Sequence, residues 1–225
     1  MTTKSAFWQA LVITVIIFVI GFIFGYFIEV NRSNNTQSNL LSSQVNLLDE
    51  QLRTNVITNF NVSCNESITS TFNFANKIYS EAILLEKYDS STKFTDNLFI
   101  LHKQYDILRM MLWLESKELK KQCSSNFHTV VYIYEYNTED VLISAKQAYF
   151  SRLTYDLRNN HPDEILLIPI AGNTGVESIN LTLKSYNIKQ LPVIIIDEKK
   201  IVSSDSVTLD ALEKEIFASK TNSTK

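Results

Sequence analysis

Glycine and proline are scarce, four and three among 225 residues, which excludes collagen-like, glycine-rich and proline-rich classes. Cysteine is scarcer still. Two are too few for a disulfide-dense miniprotein or a four-cysteine zinc site. Neither charge sign accumulates: 21 Lys and Arg stand against 24 Asp and Glu, with no basic stripe, which argues against a dedicated nucleic-acid binder. His102, His128 and His161 lack metal-ligand spacing, and the acidic residues are dispersed. The loop Ala171-Gly-Asn-Thr-Gly holds two glycines but neither the Lys of a P-loop nor the spacing of a dinucleotide fingerprint. No metal or cofactor is therefore expected.

What is abundant is hydrophobic residues, 45% of the chain, and one long run of them. Ala6 to Ile28 carries no charge and exceeds the ~20 residues that cross a bilayer as a helix. A signal peptide has a shorter apolar core followed by small residues, whereas Tyr26, Phe27, Ile28 and Glu29 follow here, so the segment reads as an uncleaved anchor. Trp8 and Tyr26 sit where amphipathic rings favour the interface. Lys4 makes the leading flank positive while Glu29 and Arg32 cancel, which places the N-terminus in the cytoplasm and the bulk of the chain outside, in the cell membrane. Gly21 and Gly25 form a GxxxG spacing, a candidate for membrane-helix dimerisation, although glycine is common in membrane helices anyway.

Asn31 to Ser43 is polar and reads as a spacer. Beyond it Leu41, Val45, Leu48, Leu52, Val56 and Phe60 recur at steps of three and four on one face of a stalk helix. That stripe either packs on the domain that follows or pairs with a second chain as a short coiled coil. Two further stripes follow: Ile68, Phe72, Ala75, Tyr79, Ala82 and Leu85, then Leu98, Leu101, Tyr105, Leu108, Leu112 and Leu119. The short turn between them, with Thr92 or Thr95 as N-cap, makes an αα-hairpin. Cys64 opens the hairpin and Cys123 closes it, and arms of similar length bring both sulfurs to the same end. A disulfide is expected there, provided the compartment is oxidising. Lys117, Lys120 and Lys121 read as a solvated helix end.

From residue 129 the pattern changes. Thr129–Tyr136 and Glu164–Ile170 are buried strands separated by a helix over 141–159, a βαβ unit. A helix over 176–186, a strand at Val193–Asp197, a short strand at Ile201–Val202 and a last helix capped by Ser206 complete the order βαβαββα. Glu139-Asp140 reads as first-turn charge for the helix after it. Asn-x-Ser/Thr acceptors occur at Asn31, Asn34, Asn61, Asn65, Asn180 and Asn222.

That order, with Tyr186-Asn-Ile-Lys-Gln-Leu-Pro-Val-Ile-Ile-Ile-Asp-Glu-Lys-Lys-Ile, resembles the thioredoxin fold over about 90 residues, and the whole layout is similar to membrane-anchored thioredoxin-like proteins of archaea and bacteria. The resemblance implies a cis Leu191-Pro192 bond and a groove formed by Leu191 and Pro192 with the helix start near Val141 and Ser144. Redox members carry Cys-x-x-Cys at that helix start, where the N-terminus stabilises a thiolate. Here Val141 and Ser144 stand in those places and no cysteine follows Cys123. A hydroxyl cannot form a mixed disulfide.

The expected organisation is therefore a cytoplasmic N-terminus (1–5), a transmembrane helix (6–28), a polar linker (29–43), a helical stalk and hairpin (44–125), an α/β thioredoxin-like domain (126–219) and a tail (220–225). The expected function is a redox-inactive binding or structural module outside the lipid bilayer, accepting a peptide or protein partner by β-augmentation. Two alternatives stand beside it. One is an accessory to thiol-disulfide exchange that uses Cys64 and Cys123 or a partner enzyme; the other is a homodimeric membrane tether.

Overall fold

The computed structural model describes residues 3–60, 62–91, 95–123 and 126–217. Thr92, Asn61, Asn222 and the tail 220–225 lie outside the described residues. The chain divides into two compact units, residues 1–45 and 46–225. The first is the leading part of helix α1, which runs from Thr3 to Asn59. Within it Phe7–Ile28 is long and apolar enough to cross a membrane, about 33 Å at 1.5 Å per residue. The polar linker expected at 29–43 is helical too. It holds no Pro or Gly, so propagation meets no breaker between two helix-forming segments.

The second unit holds the rest of α1, then α2 (Cys64–Ser91), α3 (Thr95–Cys123), β1 (His128–Tyr134), α4 (Val141–Asn160), β2 (Ile165–Ala171), α5 (Glu177–Ser185), β3 (Val193–Ile196), β4 (Lys200–Val202) and α6 (Leu209–Phe217). The α/β element order read from the sequence is present. Ser63 caps the start of α2: its Oγ accepts from Glu66 N–H at 3.3 Å while its hydroxyl donates to Glu66 Oε2 at 2.7 Å. At α6, Thr208 takes the capping place expected of Ser206, its Oγ1 accepting from Ala211 N–H at 3.3 Å. Ser206 is instead tied to Ser204 in the preceding turn.

The sheet order is β2-β1-β3-β4. β1 and β2 are parallel, with Val131 opposite Ile168, while β3 runs antiparallel to β1 with Ile195 opposite Val131. A strand flanked on both sides and covered on both faces must be apolar throughout, which is why β1 and β3 do not alternate. On one face Val130, Tyr132, Ile194 and Ile196 pack with Phe150, Leu153 and Leu157 of α4 and Leu212 and Ile216 of α6. On the other face lie Val131, Ile133, Ile168, Ile170 and Ile195, each no more than 1% exposed.

That second face is covered by the hairpin together with α5, because α2 and α3 contact β2 and α3 also contacts β1. The hairpin, expected as a stem apart from the head, is thus one wall of the head's core. Burying each such aliphatic side chain stabilises by about 1.5–3 kcal/mol, so a head cut at residue 126 would bare five of them.

The α3 stripe, Leu98, Leu101, Tyr105, Leu108, Leu112 and Leu119, is buried throughout. In α2 the buried line is displaced by about one residue from the expected one: Ser67, Thr71, Phe74 and Ile78 are buried, while Ile68, Phe72, Ala75 and Tyr79 are half-buried beside them. The displacement follows from what α2 faces, since Thr71 donates to buried Glu115 of α3 at 2.9 Å. A disulfide joins Cys64 and Cys123, with Cα atoms 5.5 Å apart, at the common end of the hairpin.

Candidate functional site

An open cleft of about 1090 Å³ lies at the end of the sheet where β1 finishes and β3 begins. One wall is the segment before β3, including Leu191 and Pro192, whose connecting bond is cis. The opposite wall is the first turns of α4, with Leu142, Ile143 and Lys146. Asp140 fixes where that helix begins: its carboxylate accepts from Leu142 N–H at 2.8 Å and Ile143 N–H at 3.2 Å. The residue expected to contribute first-turn charge is therefore the N-cap itself. Residues 142, 143 and 146 of this helix face the cleft, Lys146 lying one turn after Leu142 and Ile143.

Val141 and Ser144, expected in the groove, are exposed and do not line it. Leu191 and Pro192 do, joined by Leu142 and Ile143, which periodicity counted from the Asp140 cap would have found. Leu142 is 81% exposed, an apolar side chain presented to solvent at the mouth. The cleft carries mixed charge. Lys146 Nζ lies 2.7 Å from both Asp205 Oδ1 and the Ser203 carbonyl.

The position of Leu191 depends on a glycine. A Cβ on Gly172 would sit 2.6 Å from Leu191 Cδ1 and 3.0 Å from Ile133 Cγ2, so the two-glycine loop supports the Leu191 wall rather than a phosphate.

The cleft offers shape, apolar contact and the Lys146–Asp205 ion pair. His128 opens β1 at the opposite end of the strand, about 20 Å from the cleft at 3.3 Å per residue, and its Nδ1 lies 2.6 Å from Asp197 Oδ2. His161 Nε2 contacts Glu213 Oε1 at 3.2 Å. No cluster of potential metal ligands occurs among the described residues. Both cysteines are spent in the disulfide, where Cys64 is exposed and Cys123 half-buried. Asn65 beside it is exposed, whereas Asn180 is half-buried in α5.

Two polar clusters were not foreseen. In the first, Arg53 of α1 grips Glu50 with two hydrogen bonds, Nε to Oε2 at 2.7 Å and Nη2 to Oε1 at 2.6 Å, and also pairs with Glu115 of α3. Thr54 and Thr71 donate to the Glu115 carboxylate, each at 2.9 Å. Glu50 is fully buried. Burial, outweighing the Arg53 hydrogen bond and reinforced by Glu115, pushes its carboxyl up to about 7. Further along, Lys77 donates to Asn46 Oδ1 at 2.7 Å.

In the second cluster Lys120 is not a solvated helix end but donates to Thr129 at 2.8 Å, Asp197 at 2.9 Å and Glu198 at 2.8 Å. These carboxylates sit in the β3–β4 turn, where Asp197 and Glu198 have φ of 48° and 59° and Lys199 N–H closes onto the Ile196 carbonyl at 3.0 Å. This is type I′ geometry, normally given to Asn-Gly. Tertiary partners hold it here: Trp113 Nε1–H donates to Glu198 at 3.0 Å, and Thr129 Oγ1–H donates to it at 2.6 Å. Burial alone would raise the Asp197 carboxyl, but the His128 hydrogen bond and the Lys120 contact bring it down to about 2. A row of lysines at a helix end carries no signal that one of them reaches inward, because that depends on a strand turn 77 residues away.

No family model, curated protein or solved structure matches the chain.

Proposed function

We propose that this protein is a membrane-anchored, redox-inactive thioredoxin-like protein whose head binds an extended segment of a partner polypeptide. The cleft between Leu191-Pro192 and Leu142-Ile143 carries this reading. The strand order with one antiparallel hairpin after Pro192 supports the thioredoxin-like resemblance, and the absence of cysteine after Cys123 supports the loss of thiol exchange. β3 has a neighbour on each side, so a bound strand would pair with the backbone of residues 189–191 ahead of it and lay apolar side chains against Leu142 and Ile143. The apolar run at Phe7–Ile28 is the anchor. Lys4 on its leading flank sets the N-terminus in the cytoplasm and the head outside the cell membrane.

The test uses the full chain in nanodiscs, titrated with an unfolded peptide that alternates apolar and polar residues. Saturable binding that weakens at least tenfold in Leu142→Asp supports the cleft. Leu142 is exposed, so that change leaves the core intact. Equal binding by the variant, or none by the wild type, overturns it. The same preparation is then given a disulfide-bonded protein substrate and a small thiol. Acceleration of reduction that disappears in Cys123→Ser would replace this reading with thiol-disulfide exchange by the Cys64–Cys123 pair, in which residue Cys64 is exposed.

A further inference from the structure

Helix α1 packs the wrong way round for an ordinary amphipathic helix. Its inward face over 46–53 is polar: Asn46 and Glu50 are buried and Arg53 is half-buried, with Asn46 and Arg53 hydrogen-bonded to α2 or α3 and Glu50 held by Arg53. Apart from half-buried Ile57, its described apolar residues from 48 to 60 point outward. Leu48 is 59% exposed, Leu52 64%, Val56 44% and Phe60 76%. Of the two uses that the spacing allowed, packing on the following domain is taken by the opposite face.

We infer that this outward face of α1, residues 48–60, is the contact surface of a parallel homodimer formed within the membrane. It rests on the anchor proposed above. The occupant follows from charge, spacing and area. The face carries one charge, Asp49, and is bordered by Gln51, Asn55 and Asn59, so a second copy meets it with almost no repulsion. A membrane-surface helix would instead border its apolar face with Lys and Arg, and the exposed border here has none. Leu48, Leu52, Val56 and Phe60 advance by four residues each, so successive side chains step about 40° around the helix and form one broad apolar band that a second helix can cover. Asn55 and Asn59 lie on the same side and can pair across the two-fold axis, which favours one register.

Area decides where the dimer forms. Four such side chains offer roughly 400 Å² per copy, the size of a functional patch but about half of what each partner contributes to a stable complex in free solution. Two copies anchored in one bilayer, facing the same way, meet at a much higher effective concentration. The dimer therefore belongs to the membrane, and extraction into excess detergent separates it.

Fluorescently labelled full chain in liposomes at low density tests this by single-molecule photobleaching, with flotation of the same liposomes scoring the anchor independently. Two-step bleaching is expected for the wild type, and the dimer fraction should fall at least tenfold in Leu48→Gln/Leu52→Gln, which changes only exposed side chains. Gly21→Ile/Gly25→Ile should leave most of the dimer in place. A monomeric wild type, or a dimer that survives the double Gln change, overturns the inference. A chain that fails to float removes the anchor and this dimer with it.

Discussion

The two buried charge clusters of the 46–225 unit use similar residues and reach opposite electrostatic results. Around Arg53, two carboxylates, Glu50 and Glu115, share one guanidinium, and Glu50 is fully enclosed. Around Lys120, Asp197 and Glu198 meet the ammonium group while His128 also faces Asp197, and Asp197 keeps 27% of its side chain in contact with solvent. Burial opposes the charged carboxylate in both. It prevails at Glu50 and is overcome at Asp197. The difference teaches that the hydrogen bonds a carboxylate receives and the depth of its site decide the sign, rather than the presence of an ion pair.

The sharpest way to break this comparison is to remove the single cation of the first cluster. Arg53→Ala leaves two carboxylates facing one another in the interior and should cost about 3–5 kcal/mol in urea unfolding of the full chain in detergent micelles at pH 8. The loss should shrink at pH 5, where Glu50 is protonated.

The second effect is pH dependence itself. Because the folded-state value of Glu50 lies at about 7, above its ordinary 4.5, its contribution is complete below pH 4.5 and is lost as pH rises through 7. Unfolding free energy should fall by about 3 kcal/mol between pH 5 and pH 8.5, and Glu50→Gln should flatten that slope. An unchanged slope in the variant would show that Glu50 is not the group responsible.

Smaller effects are expected in the second cluster. Lys120→Met removes three hydrogen bonds from a partly solvated site and should cost about 2 kcal/mol, measured at pH 7, with amide exchange quickening at residues 197–199. Asp197 supplies the acid limb. Its value is lowered from 3.8 to about 2, so its contribution is present above pH 3.8 and disappears as pH falls through 2. Asp197→Asn should remove about 1–2 kcal/mol of acid-dependent destabilisation between pH 4 and pH 1.5.

The clusters also mark where sequence reading stops. The α3 stripe, the succession of helices and strands along the chain and the pairing of Cys64 with Cys123 were legible because each depends on local periodicity or on equal arm lengths. The α1 stripe was legible as a stripe, yet its direction was not, since Glu50 and Arg53 look like ordinary solvent-facing residues until Glu115 and Thr71 arrive from two other helices. Leu191 and Pro192 were placed in the cleft through family resemblance. Val141 and Ser144 were chosen by position in the chain, whereas the Asp140 cap turns Leu142 and Ile143 to the opening.

What the residues decide alone is the length and polarity of each segment: an apolar run of membrane-crossing length, two long helices that can fold back on each other, and strands too apolar to face water. Tertiary structure alone decided that the hairpin closes one face of the sheet and that α1 turns Glu50 and Arg53 inward and Leu48 and Leu52 out. The reason is that a helix face or a sheet face is defined only by what covers it, and the covering residues here lie up to about 80 positions away in the chain.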